Sequence, residues 1–590
     1  MNLESDPEEI ANSRLLPQLG MMVRALWAAP VRNTLFLLAG ALFLVVAVSA
    51  YGQIRLNDWN KPFYDALSRR DFAQFLEQLG VFGVIAGALL VLNVAQRWLG
   101  ETLKLKLRQG LALDMISNWM RPGRAFRLSL AGPIGINPDQ RMHEDARHLT
   151  ELSADLGIGL LQSSILLITF VSVLWSLSNN FIFHVGDRHF AVPGYMVWAA
   201  VVYSGSASLL SYWVGRSLVD RNAERYAREA DLRFSLVRVN EHIDAIALSG
   251  GEADEERRIE IDIRAVLAAT ARLVTGLTNL TWITAGYGWF TIVAPILAAA
   301  PLYFAGNISF GGLMLASGAF IQVQSSLRWF VDNFSTIADW RATLLRVASF
   351  RRAVIETDVL HDVESRIAFV AGEPGKFRIE ELEIASPAGC TMLAEKHIEI
   401  KAGERVLIVG ESGTGKTLLF RALAGLWPWG SGRVARPSGE EFFFMPRTPY
   451  LSPGTLREVL AYPSKTESFA PAAFESALLR LKLDRLVPML DVAQRWEREL
   501  SEDEQQTLAF ARVVLHAPPW VLIDEVLDSM DADARQEILA ILAKDLEHTG
   551  IIHIGRANPG DHVFSRTLHL VKDPALRRLK KKAPAKELAV

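Results

Sequence analysis

Apolar positions in the first half of the chain fall in long unbroken runs, separated by polar stretches. Residues 34–52, 79–95, 158–177, 192–214 and 282–304 are five such runs. Residues 310–323 begin a sixth, which continues as helix through Ser325-Ser326-Leu327-Arg328. Runs of about 17–25 apolar residues match the hydrocarbon thickness of a bilayer. Six membrane-crossing helices are therefore expected within residues 33–355. Short connections join spans one and two, three and four, and five and six. Two long polar stretches, 96–157 and 215–278, separate these pairs. The first carries Arg108, Arg121, Arg124, Arg127, Arg141 and Arg147, and the second Arg216, Arg221, Arg225, Arg228, Arg233 and Arg238. This arginine excess places both stretches, and both termini, in the cytosol.

Smaller features punctuate that pattern. Asn57-Asp58-Trp59-Asn60-Lys61-Pro62-Phe63-Tyr64-Asp65-Ala66-Leu67 reads as an outer loop whose aromatics form an interfacial belt, in preference to a substrate contact. Asn137-Pro138-Asp139-Gln140-Arg141 interrupts the first polar arm with a turn, and Glu241 and Gly250-Gly251-Glu252 interrupt the second. Arg328, Asp332, Asp339, Arg341 and Arg346 mark emergence into the cytosol, with Arg328 and Asp332 as candidates to line a wet cavity.

The pattern then changes. Residues 356–376 lose the apolar runs and gain Gly372, Pro374 and Gly375, as a linker would. From 377 to 572 short alternating strands and helices describe an α/β domain. Residues 573–590 form a tail with the basic run Arg577-Arg578-Leu579-Lys580-Lys581-Lys582, read as a solvated cytosolic end. Residues 1–32 are an N-terminal cytosolic segment whose acids (Glu4, Asp6, Glu8, Glu9) give no signal-peptide pattern.

Composition agrees with a membrane region joined to a soluble one: of 590 residues 50% are hydrophobic, yet 22% are charged. So long a chain exceeds a single core. A formal net charge of −3 gives no reason to expect nucleic acid as a partner. A single cysteine, Cys390, rules out internal disulfides and thiolate metal clusters.

The chemistry concentrates in the second half. Gly410-Glu411-Ser412-Gly413-Thr414-Gly415-Lys416-Thr417 has the form G-x-x-x-x-G-K-T. It follows the apolar run Arg405-Val406-Leu407-Ile408-Val409 and precedes a helical stretch beginning at Leu418. Strand, glycine loop and helix are the arrangement in which backbone N–H groups cradle phosphates. Lys416 is expected to reach the β- and γ-phosphates of ATP, and the Thr417 hydroxyl to hold Mg²⁺. Downstream, Trp520-Val521-Leu522-Ile523-Asp524-Glu525 is an apolar strand ending in two acids. Asp524 would act on Mg²⁺, and Glu525 would polarise the attacking water.

Leu500-Ser501-Glu502-Asp503-Glu504-Gln505-Gln506 stands where the ATP-binding cassette family has its L-S-G-G-Q signature, and the chain resembles that family. The resemblance implies that Ser501 binds the γ-phosphate held by another subunit, and that Asp531 is the D-loop aspartate. Six spans with long polar helices resemble exporter-type transporters: an all-α transmembrane domain with cytosolic arms, followed by an α/β P-loop NTPase domain. The motifs at 57–71 and 137–141, with Ala424-Gly425-Leu426-Trp427-Pro428 and Pro449-Tyr450-Leu451, are similar to bacterial half-transporters of the SbmA/BacA peptide-importer type carrying a fused cassette. Peroxisomal fatty-acyl transporters are more distant relatives. That likeness implies a homodimer in the lipid bilayer of a bacterial inner membrane, moving peptides, including antimicrobial ones, inward. The residues leave open export of lipid or drug-like molecules, cobalamin import, and a proton-coupled permease with a regulatory cassette.

Three positions depart from the family pattern. Arg447 replaces the Q-loop glutamine, Asp503 replaces a signature glycine, and Arg556 replaces the switch histidine. The added negative charge of Asp503 should repel phosphate. Arg447 and Arg556 are candidates to bind it, since guanidinium pairs well with phosphate. No aromatic stands ready to stack on adenine; Ser386 and Pro387 occupy about that place. With Lys416, Asp524 and Glu525 intact, hydrolysis is expected, slowed by these changes.

Overall fold

Long helices build the first of two units, Met1–Thr357, and a mixed sheet flanked by helices builds the second, Asp358–Val590. The computed structural model describes residues 15–28, 30–130, 137–179, 182–185, 188–356, 366–386, 389–557 and 562–573. Most of the N-terminal segment, part of the expected linker, Pro387 and the basic run of the tail lie outside the described residues.

The first unit runs through α1 (Leu15–Ala28), α2 (Arg32–Arg69), α3 (Phe72–Trp119), α4 (Ala146–Ser178), α5 (Tyr195–Glu241), α6 (Ile243–Ser249), α7 (Glu252–Phe304), α8 (Phe310–Asp332) and α9 (Phe334–Glu356). Among the described residues five segments, Arg32–Arg69, Phe72–Trp119, Pro138–Ser178, Tyr195–Glu241 and Glu252–Phe304, are long and apolar enough to cross a membrane. The sixth expected span, α8, is helical but falls outside that set. Gln322, Gln324, Ser325, Ser326 and Arg328 dilute its apolar face. It packs against α2, α4, α5 and α7, with Leu313, Ala316, Ala319, Phe320 and Val323 buried. A helix enclosed by helices does not need the lipid-facing residues that hydropathy detects.

The expected outer loop at 57–67 is instead helix. α2 continues past its apolar run to Arg69, and the chain turns sharply at Arg70 (φ 57°), where Asp71 caps α3 by accepting the Gln74 N–H at 3.1 Å. The extension is held sideways. Buried Asn57 donates to the Leu315 carbonyl at 3.3 Å, and the Asp65 carboxylate accepts the Gly311 N–H and the Ser309 hydroxyl, each at 2.8 Å. A Cβ on Gly311 would lie 2.1 Å from the Lys61 carbonyl, so only glycine allows α8 this close to α2. The Trp59 indole donates to Gln78 O at 2.8 Å and stacks on Phe63, so these aromatics join α2 to α3.

The two polar arms are helical hairpins. In the second, α5 and α7 lie side by side, joined by α6 between His242 and the left-handed Gly250. In the first, Asn137 is left-handed (φ 55°), Pro138 opens a turn, and Arg141–Asp145 is a π-helical turn leading into α4. Its buried Asp145 accepts from Arg141 at 2.8 Å and from Arg346 of α9 at 3.1 Å. Asp114 of α3 binds Arg351 of α9 at 2.7 Å. Thus Arg346 is spent on a structural pair, and Arg328 and Asp332, read as cavity candidates, pair with each other at 3.3 Å.

Among the described residues, ten strands of the second unit form one sheet. In chain order they are β1 (Ala368–Gly372), β2 (Lys376–Ser386), β3 (Gly389–Leu393), β4 (His397–Lys401), β5 (Arg405–Val409), β6 (Gly430–Pro437), β7 (Phe442–Met445), β8 (Trp520–Asp524), β9 (Gly550–Gly555) and β10 (Arg566–Asp573). Their order is β1-β6-β2-β3-β10-β5-β9-β8-β7, with β4 paired to β2. The β10-β5-β9-β8-β7 part is parallel, and β8 is buried along its whole length. Covering Val521, Leu522 and Ile523 contributes about 1.5–3 kcal/mol each. Ala368–Gly372, inside the stretch expected to be linker, pairs in parallel with β6. Of the glycines that suggested a linker, Gly372 ends β1 opposite Pro437, and Gly375 (φ 71°) serves the turn to β2.

Candidate functional site

The phosphate loop leaves β5 and enters α10 (Lys416–Leu423) at the carboxyl end of the parallel strands, where open α/β sheets bind ligands. Gly413 and Gly415 have φ 84° and 98°, conformations that a side chain resists. Neighbours distant in sequence bind the loop's carbonyls: the Thr391 hydroxyl donates to Thr414 O at 2.8 Å, and Lys572 Nζ donates to Gly413 O at 3.1 Å. A Cβ on Gly415 would lie 2.6 Å from Thr391 Oγ1. The opening N–H groups of α10 have no carbonyl one turn earlier, which makes them ready donors to an anion.

Three charged side chains meet above this loop. Lys416, 6% exposed, places Nζ 2.7 Å from Glu525 Oε1, and Arg447 lies 4.0 Å from Glu525 Oε2. Glu525 holds a left-handed backbone (φ 56°, ψ 5°), uncommon for a residue with a side chain and frequent at functional positions. Its N–H donates to the Ile554 carbonyl at 2.8 Å, anchoring the strained turn to β9.

Beside it, Asp524 is buried and its carboxyl is pushed up to about 6. Burial is the main cause. A hydrogen bond from Thr417 works against it, and the neighbouring Glu525 charge adds to it. Asp524 Oδ1 is buried with no hydrogen-bond partner, next to the Thr417 hydroxyl. Two hard oxygens, one unsatisfied, suit Mg²⁺, which takes one or two protein ligands and completes its shell with water and phosphate. The residues fit that ion. A cleft of about 590 Å³, lined by Thr417, Phe420, Arg421, Phe444, Arg447 and Asp524 among others, opens at this point.

The remaining expected residues stand apart from that cluster. Ser501 caps the helix Glu502–His516, exchanging hydrogen bonds with Glu504 in a capping box. Asp503 lies exposed in that helix's first turn, where negative charge complements the helix dipole. Arg512 of the same helix, 6% exposed, donates to Tyr450 O at 3.1 Å and Val459 O at 3.0 Å. Burial pushes its guanidinium down to about 10. The helix is thereby tied to the segment that follows Arg447. Asp531 caps helix Ala532–Asp545 by accepting the Ala534 N–H at 2.7 Å. Arg556 is exposed just past β9, its N–H donating to Asp528 Oδ2 at 2.8 Å. Ser386, near the expected adenine position, donates to the Gly389 carbonyl.

Thr391, Lys572 and Asp528 were not legible as site residues. Thr391 and Lys572 reach the loop from far along the chain, and Asp528 is one acid in an acid-rich turn.

Comparison with known proteins places these features in a family context. Residues 23–304 match the family described as ABC transporter transmembrane region 2, and residues 393–528 match the family described as ABC transporter. The Escherichia coli protein named inner membrane ABC transporter ATP-binding protein YddA is 25% identical over 537 residues, covering 90% of this chain and 93% of YddA. ABC transporter D family member 2, chloroplastic, of Arabidopsis thaliana is 26% identical over 598 residues, covering 90% and 82% of the two chains. The structure of a bacterial Atm1-family ABC exporter with ATP bound superposes with a TM-score of 0.65 at 18% identity, over 90% of this chain and 91% of that one. The fold is therefore that of an exporter: a helical transmembrane domain followed by an α/β nucleotide-binding domain. With both parts on one polypeptide, the chain is an ABC half-transporter, related to the ABC transporter D family and to YddA, that couples ATP hydrolysis to transport across a membrane.

Proposed function

We propose that two copies of this chain assemble in a bacterial inner membrane and use ATP hydrolysis at two shared sites to move an amphipathic, acyl-type substrate. The observation that carries the ATP part is the joining of Lys416, Glu525 and the Thr417–Asp524 pair at one strand end. Lys416 gives up Glu525 for the phosphates when ATP arrives, and the released carboxylate polarises the attacking water. Thr417 and Asp524 would hold Mg²⁺, which would supply positive charge against the phosphates. Residues 410–418 cradle the triphosphate, and Arg447 and Arg556 supply polar contacts where the family has glutamine and histidine. Ser501 and Asp531 act on the nucleotide of the partner copy, so each complete site needs both chains. In the proposed layout residues 33–355 form the membrane domain and 377–572 the core of the cassette, with both termini cytosolic.

For the substrate, the relation to the D family supports acyl or lipid chemistry. Peptide uptake, implied by the SbmA/BacA resemblance, draws no support from the relatives named above. The test is ATP hydrolysis by the full chain in lipid nanodiscs, titrated with a long-chain fatty acyl-CoA, a phospholipid analogue and a cationic peptide. Stimulation by the acyl compounds alone supports the proposal, whereas stimulation by peptide alone returns the reading to peptide transport.

A further inference from the structure

Asp528 occupies an unusual position between two parts of the site. Its backbone N–H donates to the Glu525 carbonyl at 3.1 Å, and its Oδ2 accepts the Arg556 N–H at 2.8 Å. The Glu525 N–H in turn donates to the Ile554 carbonyl at 2.8 Å. These bonds and the Ile554-Gly555-Arg556 backbone close a ring that joins Glu525 to Arg556. Nothing else in that ring is a side chain, so Asp528 is the only link that a substitution can cut directly.

The surroundings hold that carboxylate in place. Its side chain is 11% exposed, and Oδ1 faces His553 Nε2 at 3.5 Å and Arg535 Nη1 at 3.7 Å. His553 is fully buried and stacks on Phe564, with ring centroids 5.7 Å apart. Gly555 leaves no room for movement: a Cβ there would lie 2.5 Å from His553 Nε2 and 2.8 Å from Asp528 Oδ2. Oδ1 itself is buried without a hydrogen-bond partner, so the bond from the Arg556 N–H to Oδ2 is the one that orients this carboxylate, and losing it would leave a further buried group unpaired.

We infer that Asp528 is a positioning residue for hydrolysis, fixing the Glu525 carboxylate and the Arg556 side chain relative to one another through this hydrogen-bonded ring. The inference rests on the proposed roles of Glu525 and Arg556. It goes beyond them by assigning to a residue outside the phosphate loop and outside the two acids that end β8 the task of keeping the two aligned. The same chain segment continues to Asp531, so a shift of the D-loop on subunit closure would reach Arg556 through Asp528.

The experiment compares the full-length protein in nanodiscs with Asp528→Ala, Asp528→Asn and Glu525→Gln, measuring kcat and KM for ATP and amide hydrogen exchange across 552–557. Misalignment of a catalytic group by about 1 Å can cost on the order of 100-fold in rate. Asp528→Ala is expected to lower kcat by about 10- to 100-fold with KM changed less than about threefold, as for an interaction made only in the transition state. Exchange at the Arg556 amide should rise in the same variant. Asp528→Asn keeps an acceptor oxygen and should restore most of kcat and the slow exchange, and it also serves if the alanine variant fails to fold. Hydrolysis by the parent with unchanged kcat in Asp528→Ala, or equal losses in the two variants with undisturbed exchange, overturns the inference alone. Absence of hydrolysis in the parent, indistinguishable from Glu525→Gln, instead overturns the reading on which it rests.

Discussion

The two glycines of the phosphate loop differ in what surrounds them, and that difference predicts two different losses of ATP affinity. Gly413 (φ 84°) has nothing within 4 Å of an added Cβ, so Gly413→Ala meets backbone strain alone. Left-handed strain costs about 1–2 kcal/mol, or roughly 5- to 30-fold in affinity if it falls on the bound loop. Gly415 (φ 98°) has Thr391 Oγ1 2.6 Å from the new methyl group. Relieving that contact breaks the 2.8 Å bond from Thr391 to Thr414 O. Losing one such hydrogen bond adds about 1 kcal/mol, for a total near 2–3 kcal/mol and a loss of about 30- to 150-fold. The assay is equilibrium binding of a fluorescent ATP analogue in a Glu525→Gln background, so that hydrolysis does not deplete it. Thr391→Ala alone removes the same hydrogen bond and should cost about 1 kcal/mol, but added to Gly415→Ala, where that bond is already broken, it should cost little more. Equal losses for the two glycines, or a double variant as weak as the sum of the Gly415→Ala and Thr391→Ala losses, would refute the reasoning.

Other expectations follow from the same geometry. Because burial raises the Asp524 carboxyl to about 6, above an unfolded value of 3.8, the folded protein holds an extra proton between those values, and its stability should fall as pH rises through that window. Adding Mg²⁺ must expel this proton, so an indicator dye in weak buffer should record proton release at pH 6 but little at pH 8, and none with Asp524→Asn. Asp145→Ala strands Arg141 and Arg346, each about a third exposed; with that access to water the loss should be about 1–3 kcal/mol, read as a lower melting temperature in detergent. Arg447 is 68% exposed and 4.0 Å from Glu525, so Arg447→Gln should leave stability within about 0.5 kcal/mol while changing kcat.

How far the sequence foretold this structure differs between its two halves. The P-loop and the acid-ended strand were legible because their chemistry is local: strand, glycine turn and helix are consecutive, and four buried residues, Trp520 to Ile523, precede Asp524-Glu525. The lipid-facing spans were legible because a bilayer demands continuous apolar length. The helical course of Asn57–Leu67 was not, since its polar and aromatic residues pair with α3 and α8 across distances that no window detects. Nor was α8 as a core helix, whose Gln322 and Gln324 bond Gln53 of α2 and Thr291 of α7. The strand Ala368–Gly372 resembled linker because Gly372 and Gly375 mark both strand ends and loops. Thr391, Lys572 and Asp528 join the site only through the sheet order, which sets β10 beside β5 with β3 on its other side and brings the turn after β8 to the end of β9.

The most direct test of the central claim is transport in oriented proteoliposomes, with ATP hydrolysis and movement of a fluorescent acyl-CoA recorded together for the parent and for Glu525→Gln. Hydrolysis and transport present in the parent, and lost together in the variant while ATP still binds, is the predicted result. Transport that persists in Glu525→Gln without hydrolysis would contradict it, and would make the cassette a regulator of a permease driven by another gradient.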